Sequence, residues 1–452
     1  FEIEIPITLI FDSPTIAEIR KGLIQNESVG ALPKIIRQER PAKIPVSFSQ
    51  ERLWFIDQLR GSVQYHIPTV LNFDGPLNTG AIETAIRHVV NRHESLRTVI
   101  KDDEGEPYQE ILPANNWHMD RIDNVKPDAL SQLVQSYIQR PFNLAADHML
   151  RVALAHTTDN KYVLIAVFHH IASDGWSRSV FIKEVVEMYE AFDKGFMTKL
   201  PPLDVQYADY AIWQRKYLSG EVMDKKLNYW ANQLKGAVPL ELPTDFKRPK
   251  VLGTKGDKCA FTIEKALMND LNAYSQQHGV TLFMTVLSVF KVLLYRYSNQ
   301  TDIVVGSAIA EKKKKELESM IGFFINTLAL RTEFYPEDTF DELLAKVKAT
   351  TLGAFENQEV PFEKIVEVVM GKRDMDTDPL VQVMIGWQNT PELPELKLGE
   401  TKLSTASSQT ESALFDIFLN MVESDYGIQC FIQYNTELFT KSTIERMIGH
   451  FK

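Results

Sequence analysis

The stretch YVLIAVFHHIASDGWS, Tyr162 to Ser177, decides how this chain is read. Tyr162 to Phe168 is an unbroken apolar, β-branched run of strand length, so it predicts a strand buried on both faces that leads directly into His169 and His170. The chain then turns at Asp174 and Gly175. Beyond the turn, Ser177 is placed to cap a helix whose Phe181, Val185, Met188 and Phe192 recur at helical spacing. Strand, polar turn and helix therefore meet around two imidazoles. Three uses of those imidazoles stay open on the residues alone. They are a hydrogen-bonded strand end, a metal site, or an acid–base group, since histidine alone has an unperturbed pKa near working pH. No further His or Cys lies at ligand spacing, and Cys259 and Cys430 are isolated.

Working outward, 452 residues with 44% apolar content suffice for two or three cores. A formal net charge of -11 argues against nucleic acid or an anionic membrane as partner. The basic run Lys312 to Lys315 is flanked by Glu311, Glu316 and Glu318, which suits a solvated loop or helix start. Two cysteines give no disulfide framework, consistent with a reducing cytoplasm, and Phe1 to Phe11 carries acidic residues where a signal peptide needs cations. The most apolar stretch, Val280 to Tyr297, is broken by Thr281, Thr285, Ser288 and Lys291, which predicts a buried helix rather than a membrane span. Without an initiator Met, the chain is expected to be a piece of something longer and monomeric as such.

In chain order, a short extended run is expected before Ser13-Pro14, which opens a helix bearing Ile16, Ile19 and Leu23; residues 24–43 read as a linker. A first lobe is expected over 44–207. Within it Ser49 caps a helix carrying Leu53, Trp54, Ile56 and Leu59, and a strand follows over Tyr65 to Phe73. Asn78 to Arg92 is the clearest amphipathic helix, delivering Arg92, His93, Glu94 and Arg97 to its C-terminal end. That charged cluster suits helix-end electrostatics and an internal structural role equally. A second lobe is expected over 208–452. Its helices are marked by Leu267 to Tyr274, Thr281 to Tyr297 and Phe340 to Ala349. Its strands are expected near Ile303 to Val305, Phe324 to Leu330, Val381 to Trp387, Leu414 to Val422 and Ile428 to Tyr434. The fold class is α/β, as α+β sandwich layers.

HHIASDGWS resembles the HHxxxDG signature of nonribosomal peptide synthetase condensation domains, relatives of the chloramphenicol acetyltransferase fold. Further matches follow the family's order: SFSQERLWFIDQL from Ser47, RHESLRT from Arg92, YADYAIW from Tyr207, IGFFINTLALR from Ile321, NQEVPFE from Asn357 and RDMDTDPL from Arg373. The opening FEIEIPITLIFDSPTIAEI, within residues 1–23, resembles the C-terminal end of a peptidyl carrier domain, without its phosphopantetheine-bearing motif.

The resemblance implies two acetyltransferase-like lobes set as a V around a tunnel. Phosphopantetheine arms of upstream donor and downstream acceptor carrier domains would meet there at His170, with an adenylation domain adjacent. It makes His170 the catalytic imidazole and His169, Asp174, Gly175, Arg92, Arg97 and Arg296 structural. Asp174 is expected to pair with Arg97 or Arg296, and Gly175 to allow close approach of backbone or substrate. Ser177, Trp176 and Asn326 are expected to line the tunnel, although Asn326 also fits a satisfied core amide. Trp54, Trp213 and Tyr210 read as packing. Glu311-Lys312 stands where the family commonly has Gly-Arg. Leu59 to Pro68 resembles the class joining an L-configured donor to an L-configured acceptor. Ester formation by the same histidine, or a catalytically idle recruitment module, are the alternatives.

Overall fold

A computed structural model describes residues 7–13, 15–25, 33–158, 160–196, 200–310, 314–371, 380–388, 397–398, 401–405 and 412–452. The Glu311-Lys312 departure, residues 373–379 of the RDMDTDPL match, and residues 26–32 of the linker lie outside the described residues.

The apolar run is the strand Lys161–His169, which is central in a six-stranded sheet with antiparallel neighbours His66–Asp74 and Leu150–Thr158. Its side chains alternate as the two-residue strand period requires. Leu164, Ala166 and Phe168 join one core with the helices Thr79–Arg92 and Gly175–Asp193. Val163, Ile165 and Val167 join the other, beneath Phe48–Arg60 and Pro127–Gln139. Each such side chain taken fully out of water contributes about 1.5–3 kcal/mol, which is why a doubly buried strand is written as a continuous apolar run. The sheet is completed at one edge by the parallel strand Asp120–Ile122. Its other edge is made by the late strands Thr401–Thr405 and Lys397–Leu398.

A second six-stranded sheet runs Ile325–Glu333, Asp302–Ala310, Val383–Gln388, Ile417–Ser424, Gly427–Asn435 and Gly256–Glu264. Helices Leu282–Ser298, Phe340–Glu356 and Lys441–Phe451 contribute to its core. Within that core Lys291 is fully buried, its Nζ donating to the carbonyls of Ile303 (3.0 Å) and Leu330 (2.6 Å). Among the described residues no single helix is long and apolar enough to cross a membrane.

Several expectations are corrected. Helix Phe48–Arg60 is capped by Ser47 rather than Ser49, because Gln50 at the third position completes a reciprocal capping box with Ser47. Helix Gly175–Asp193 is capped by Asp174, not Ser177, whose amide is instead the donor to the cap. Residues Ile7–Asp12, expected to be extended, are helical and pack on Phe340–Glu356, with Thr8 donating to Glu356 at 2.7 Å. The linker is not loose over its last part. Ile35 is buried with Val205, Tyr207, Tyr210, Met320 and Phe324, and the backbone of Gln38 donates to Asp209 at 3.0 Å. Finally, the division at residue 207 does not separate the sheets cleanly. Strands Lys397–Leu398 and Thr401–Thr405 belong to the first sheet, where Leu398 and Leu403 pack in its core.

Candidate active site

His169 closes the central strand and His170 opens the one-turn 3-10 helix that follows it. The strand's alternation sends the His169 ring into the second of the two cores, where it is fully buried against His66 and Phe142. Its Nδ1 accepts from the backbone of Ile171 (3.1 Å), so Nε2 carries the proton and donates to Ser62 Oγ at 2.9 Å. Ser62 in turn donates to Asp57. Burial holds the His169 imidazole well below its ordinary range, and the neighbouring His66 and His170 act in the same direction. It is a neutral, fully satisfied ring whose hydrogen bonds fix the turn.

His170 differs in its exposure and its partners. It is half-buried, and its Nδ1 is shut off from solvent with no hydrogen-bond partner at good geometry. Its ring meets Phe323 edge-on, with centroids 4.7 Å apart and planes at 63°. Burial pushes this imidazole down; the Asp174 carboxylate and the nearby backbone of His170 and Ser173 pull the other way, and Arg52 reinforces the burial. The net effect holds this imidazole below its ordinary range.

The turn beyond it holds the two halves of the chain together. Asp174 is almost fully buried. Its Oδ1 accepts from Ser177 N (2.8 Å) and Ser177 Oγ (2.7 Å), and its Oδ2 from the backbone of Phe324 at 3.2 Å. Ser177 Oγ offers its single proton to Asp174 and to the carbonyl of Gly322 (2.9 Å), and accepts from Gly322 N at 3.1 Å. Ser95 donates to the Ile321 carbonyl (2.8 Å), and the Tyr207 hydroxyl donates to the Phe323 carbonyl (2.8 Å). His93 belongs to the same joint. Its Nδ1 accepts from Ile321 N (3.2 Å), so Nε2 donates to Glu184 at 2.8 Å, and Glu184 also receives Arg92 at 2.7 Å. A second tie crosses beside the imidazole, where Arg52 pairs with Glu363 at 2.8 Å.

Measured against the sequence-based expectations, the Asp174–arginine pair is corrected. Arg97 donates to the carbonyl of Leu112 at 2.6 Å and lies 3.7 Å from Glu94. Arg296 is exposed and lies over Tyr295. The Ser177 amide at the helix N-terminus, the Ser177 hydroxyl and the Phe324 amide satisfy the carboxylate, so no guanidinium is needed. Gly175 is exposed, and a Cβ there would meet nothing within 4 Å among the described residues, so the expected close approach of backbone is corrected. Ser177 is buried inside the joint rather than lining an open passage. Asn326 is the satisfied core amide: Nδ2 donates to the carbonyls of Gln358 and Val360 (both 2.7 Å), and Oδ1 accepts from Thr327 N (2.9 Å) and Phe362 N (3.1 Å). It clips the NQEVPFE loop to its strand. Trp176 stands partly exposed at the junction, its indole donating to the Glu318 carbonyl at 3.0 Å. Arg92 takes the internal role, through Glu184. Sequence reasoning did not single out Ser62, Arg52, Glu363 or Phe323. Arg52, Glu363 and Phe323 lie inside the quoted motifs, which was the signal available for them.

Comparison with known proteins gives one family and a consistent set of relatives. The family model described as Condensation domain matches residues 41–452. The chain is 42% identical over its whole length to part of a linear gramicidin synthase from Brevibacillus parabrevis, covering 6% of that protein. It is 38% identical over 99% of its length to malpinin synthetase of Mortierella alpina, again covering 6% of the relative. Over 98% of its length it is 36% identical to a dimodular nonribosomal peptide synthase of Bacillus subtilis, covering 19% of it. The chain therefore spans a small part of each of these curated relatives. Among solved structures it is similar to the X-domain from teicoplanin biosynthesis, with a TM-score of 0.85, 26% identity, and coverage of 93% of this chain and 96% of that one. The first condensation domain of the calcium-dependent antibiotic synthetase shares the fold, with a TM-score of 0.72 at 16% identity and coverage of 91% of this chain and 95% of that one.

Proposed function

The chain belongs to the condensation-domain family, and from that premise we propose that it forms a peptide bond between two thioester-bound acyl groups within a nonribosomal peptide synthetase. The observation that carries the proposal is the half-buried His170, its ring set against Phe323 where the two halves of the chain meet. The acceptor amine attacks the donor carbonyl, a C–N bond forms, the C–S bond breaks, and the donor thiolate leaves. A thioester is already activated, so no covalent enzyme intermediate is required. The proton released from the new ammonium passes to His170, and from there to the departing sulfur or to solvent. An α-amino group has a pKa of roughly 7.7 to 8.0, so part of it is neutral before any base acts, and His170 both orients the amine and removes the proton.

The thioester-bearing phosphopantetheine arms are substrates on partner chains rather than residents of this one. The open space beside Gly175, at the foot of the His170 turn, suits the approach of such an arm. In this reading the lobes form a V around a tunnel, upstream and downstream carrier domains dock at its two mouths, and an adenylation domain lies adjacent. Donor and acceptor are both L-configured, as the Leu59 to Pro68 run suggests. Residues 1–23 are the tail of a carrier domain on this reading, and their helix Ile7–Asp12 packs on Phe340–Glu356 of the second lobe. An idle recruitment module is the second reading. It is favoured by likeness to the teicoplanin X-domain, a relative also solved as a complex with OxyB.

The test is an assay with chemically loaded donor and acceptor carriers, read by intact mass. Peptide transfer to the acceptor, lost in His170→Ala at unchanged melting temperature, supports the proposal. A parent protein that transfers nothing yet binds a partner enzyme would establish the recruitment reading instead.

A further inference from the structure

An imidazole that works on a proton usually has its second nitrogen held by a carboxylate or carbonyl, which fixes both tautomer and ring plane. The His170 Nδ1 is buried and makes no hydrogen bond of good geometry, the backbone of His170 and Ser173 lying beside it without closing one. The side chain facing it is the benzyl ring of Phe323, at 4.7 Å and 63°. This ring packs on both the core beneath the central strand and the small cluster at the lobe junction. Its backbone is unusually constrained. Ser177 bonds both polar groups of Gly322, Tyr207 bonds the carbonyl of Phe323, and Asp174 bonds the amide of Phe324. Gly322 leaves no slack either, because a Cβ there would lie 2.3 Å from the Tyr207 ring and 2.6 Å from that of Phe324. With Ile321 bonded by Ser95 and His93, four consecutive residues are locked from the first lobe, and what they hold out toward His170 is one aromatic ring.

We propose that Phe323 is a positioning residue for His170: the locked Ile321–Phe324 segment presents its ring as the wall that fixes the imidazole's orientation and keeps water from it. The inference rests on the reading of His170 as the acid–base group. It also gives Asp174 and Ser177 a purpose in the reaction that does not involve touching substrate, since they hold the segment that holds Phe323. A misplacement of about 1 Å at such a group costs up to about 10²-fold in rate, and loss of the ring opens the imidazole to solvent.

The experiment compares the parent, Phe323→Ala, Phe323→Leu and His170→Ala with loaded carriers, measuring kcat, acceptor KM and the pH dependence of kcat. Phe323→Ala is expected to lower kcat about 10- to 100-fold with KM changed by less than about twofold, and Phe323→Leu to recover part of the loss. The acid limb of the profile should move to higher pH, toward the ordinary histidine range, because the solvated ring protonates more readily. A merely structural Phe323 would lower the melting temperature and leave the acid limb where it was. An inactive His170→Ala beside a Phe323→Ala with parental kcat and acid limb overturns this inference and leaves the proposed function standing, whereas a fully active His170→Ala overturns the proposed function itself. If Phe323→Ala does not fold, Phe323→Leu decides. Its His170 ring resonance, assigned by its disappearance in His170→Gln, must titrate at higher pH than in the parent, and an unchanged titration with unchanged kcat refutes the role.

Discussion

Replacing Asp174 by Ala tests whether the turn is an architectural joint or a direct participant in chemistry. The carboxylate accepts from Ser177 N, Ser177 Oγ and Phe324 N while almost fully buried. Loss of the helix cap costs about 1 kcal/mol. The Phe324 amide is then left buried without its acceptor, a further penalty of about 1–3 kcal/mol. Ser177 Oγ keeps the Gly322 carbonyl, so its loss is partial. The expected total is about 2–4 kcal/mol. With an unfolding entropy of roughly 2.1 cal/mol/K per residue, the 452-residue chain loses about 1 °C per kcal/mol, so calorimetry should register a fall of about 2–4 °C. Hydrogen exchange gives a sharper reading. A local loss of about 2 kcal/mol speeds opening roughly 30-fold, because each 1.4 kcal/mol is tenfold, and the effect should be confined to peptides spanning Gly322 to Asn326. Asp174→Asn retains one carbonyl oxygen for the cap and should fall between parent and Ala. An Asp174→Ala protein that melts like the parent, exchanges like the parent at Phe324, and yet forms no product would refute this reasoning.

His169→Ala should destabilise by about 3 kcal/mol or more, as ring deletions in cores do, while the folded fraction keeps its turnover. Melting and specific activity corrected for folded protein check this. Burial keeps the folded His169 imidazole well below the unfolded value of about 6.5, so below that pH the unfolded chain binds the proton and the folded one does not. Stability therefore falls as pH drops beneath about 6.5, by about 1.4 kcal/mol per pH unit, and His169→Gln should flatten this acid limb in denaturation midpoints. Lys291 is pushed down from 10.5 to about 7 by burial, so between those values the unfolded chain holds a proton that the folded chain does not. Parental stability should rise with pH across that window by about 1.4 kcal/mol per pH unit relative to Lys291→Met, measured by urea denaturation at about pH 7.5 and about pH 9.5. Removing residues 1–25 should leave melting nearly unchanged. Removing residues 1–40 also takes Ile35 out of its cluster, for about 1.5–3 kcal/mol, and a truncation to residue 40 that melts like the parent would show the Ile35 contact to be idle.

How much of this was legible in the sequence follows from the kind of interaction involved. The central strand announced itself because burial on both faces demands an apolar residue at every position from Val163 to Phe168. Helix starts at Asn78, Thr281 and Thr339 carry their caps in the side chain, and each cap bond is present. The partners of Asp174 left no such mark: backbone N–H groups belong to every residue except proline, so Phe324 as a donor has no signature. Ile35 lies in a polar stretch, and its burial is decided by Tyr207 and Phe324, far along the chain. Tertiary packing likewise decided the fate of Asn326, whose amide fitted a tunnel wall as well as a core clip on type alone, and which clips the NQEVPFE loop as the core reading had it. Strands Lys397–Leu398 and Thr401–Thr405 are short and mixed in polarity, too weak a pattern to read.

Those two short strands have a consequence for how the chain is made. They pair Leu403 with Phe73, and Thr401 caps the arrangement by bonding the carbonyl of Pro76, a partner 325 residues away in sequence. During synthesis, strand His66–Asp74 therefore waits with one hydrogen-bonding edge open until most of the chain has left the ribosome. An open strand edge is a template for pairing with another chain. A fragment ending near residue 207 carries that edge permanently, so it should self-associate even with its other strands correctly paired, and a synthetic peptide covering residues 397–405 is the natural means of closing it.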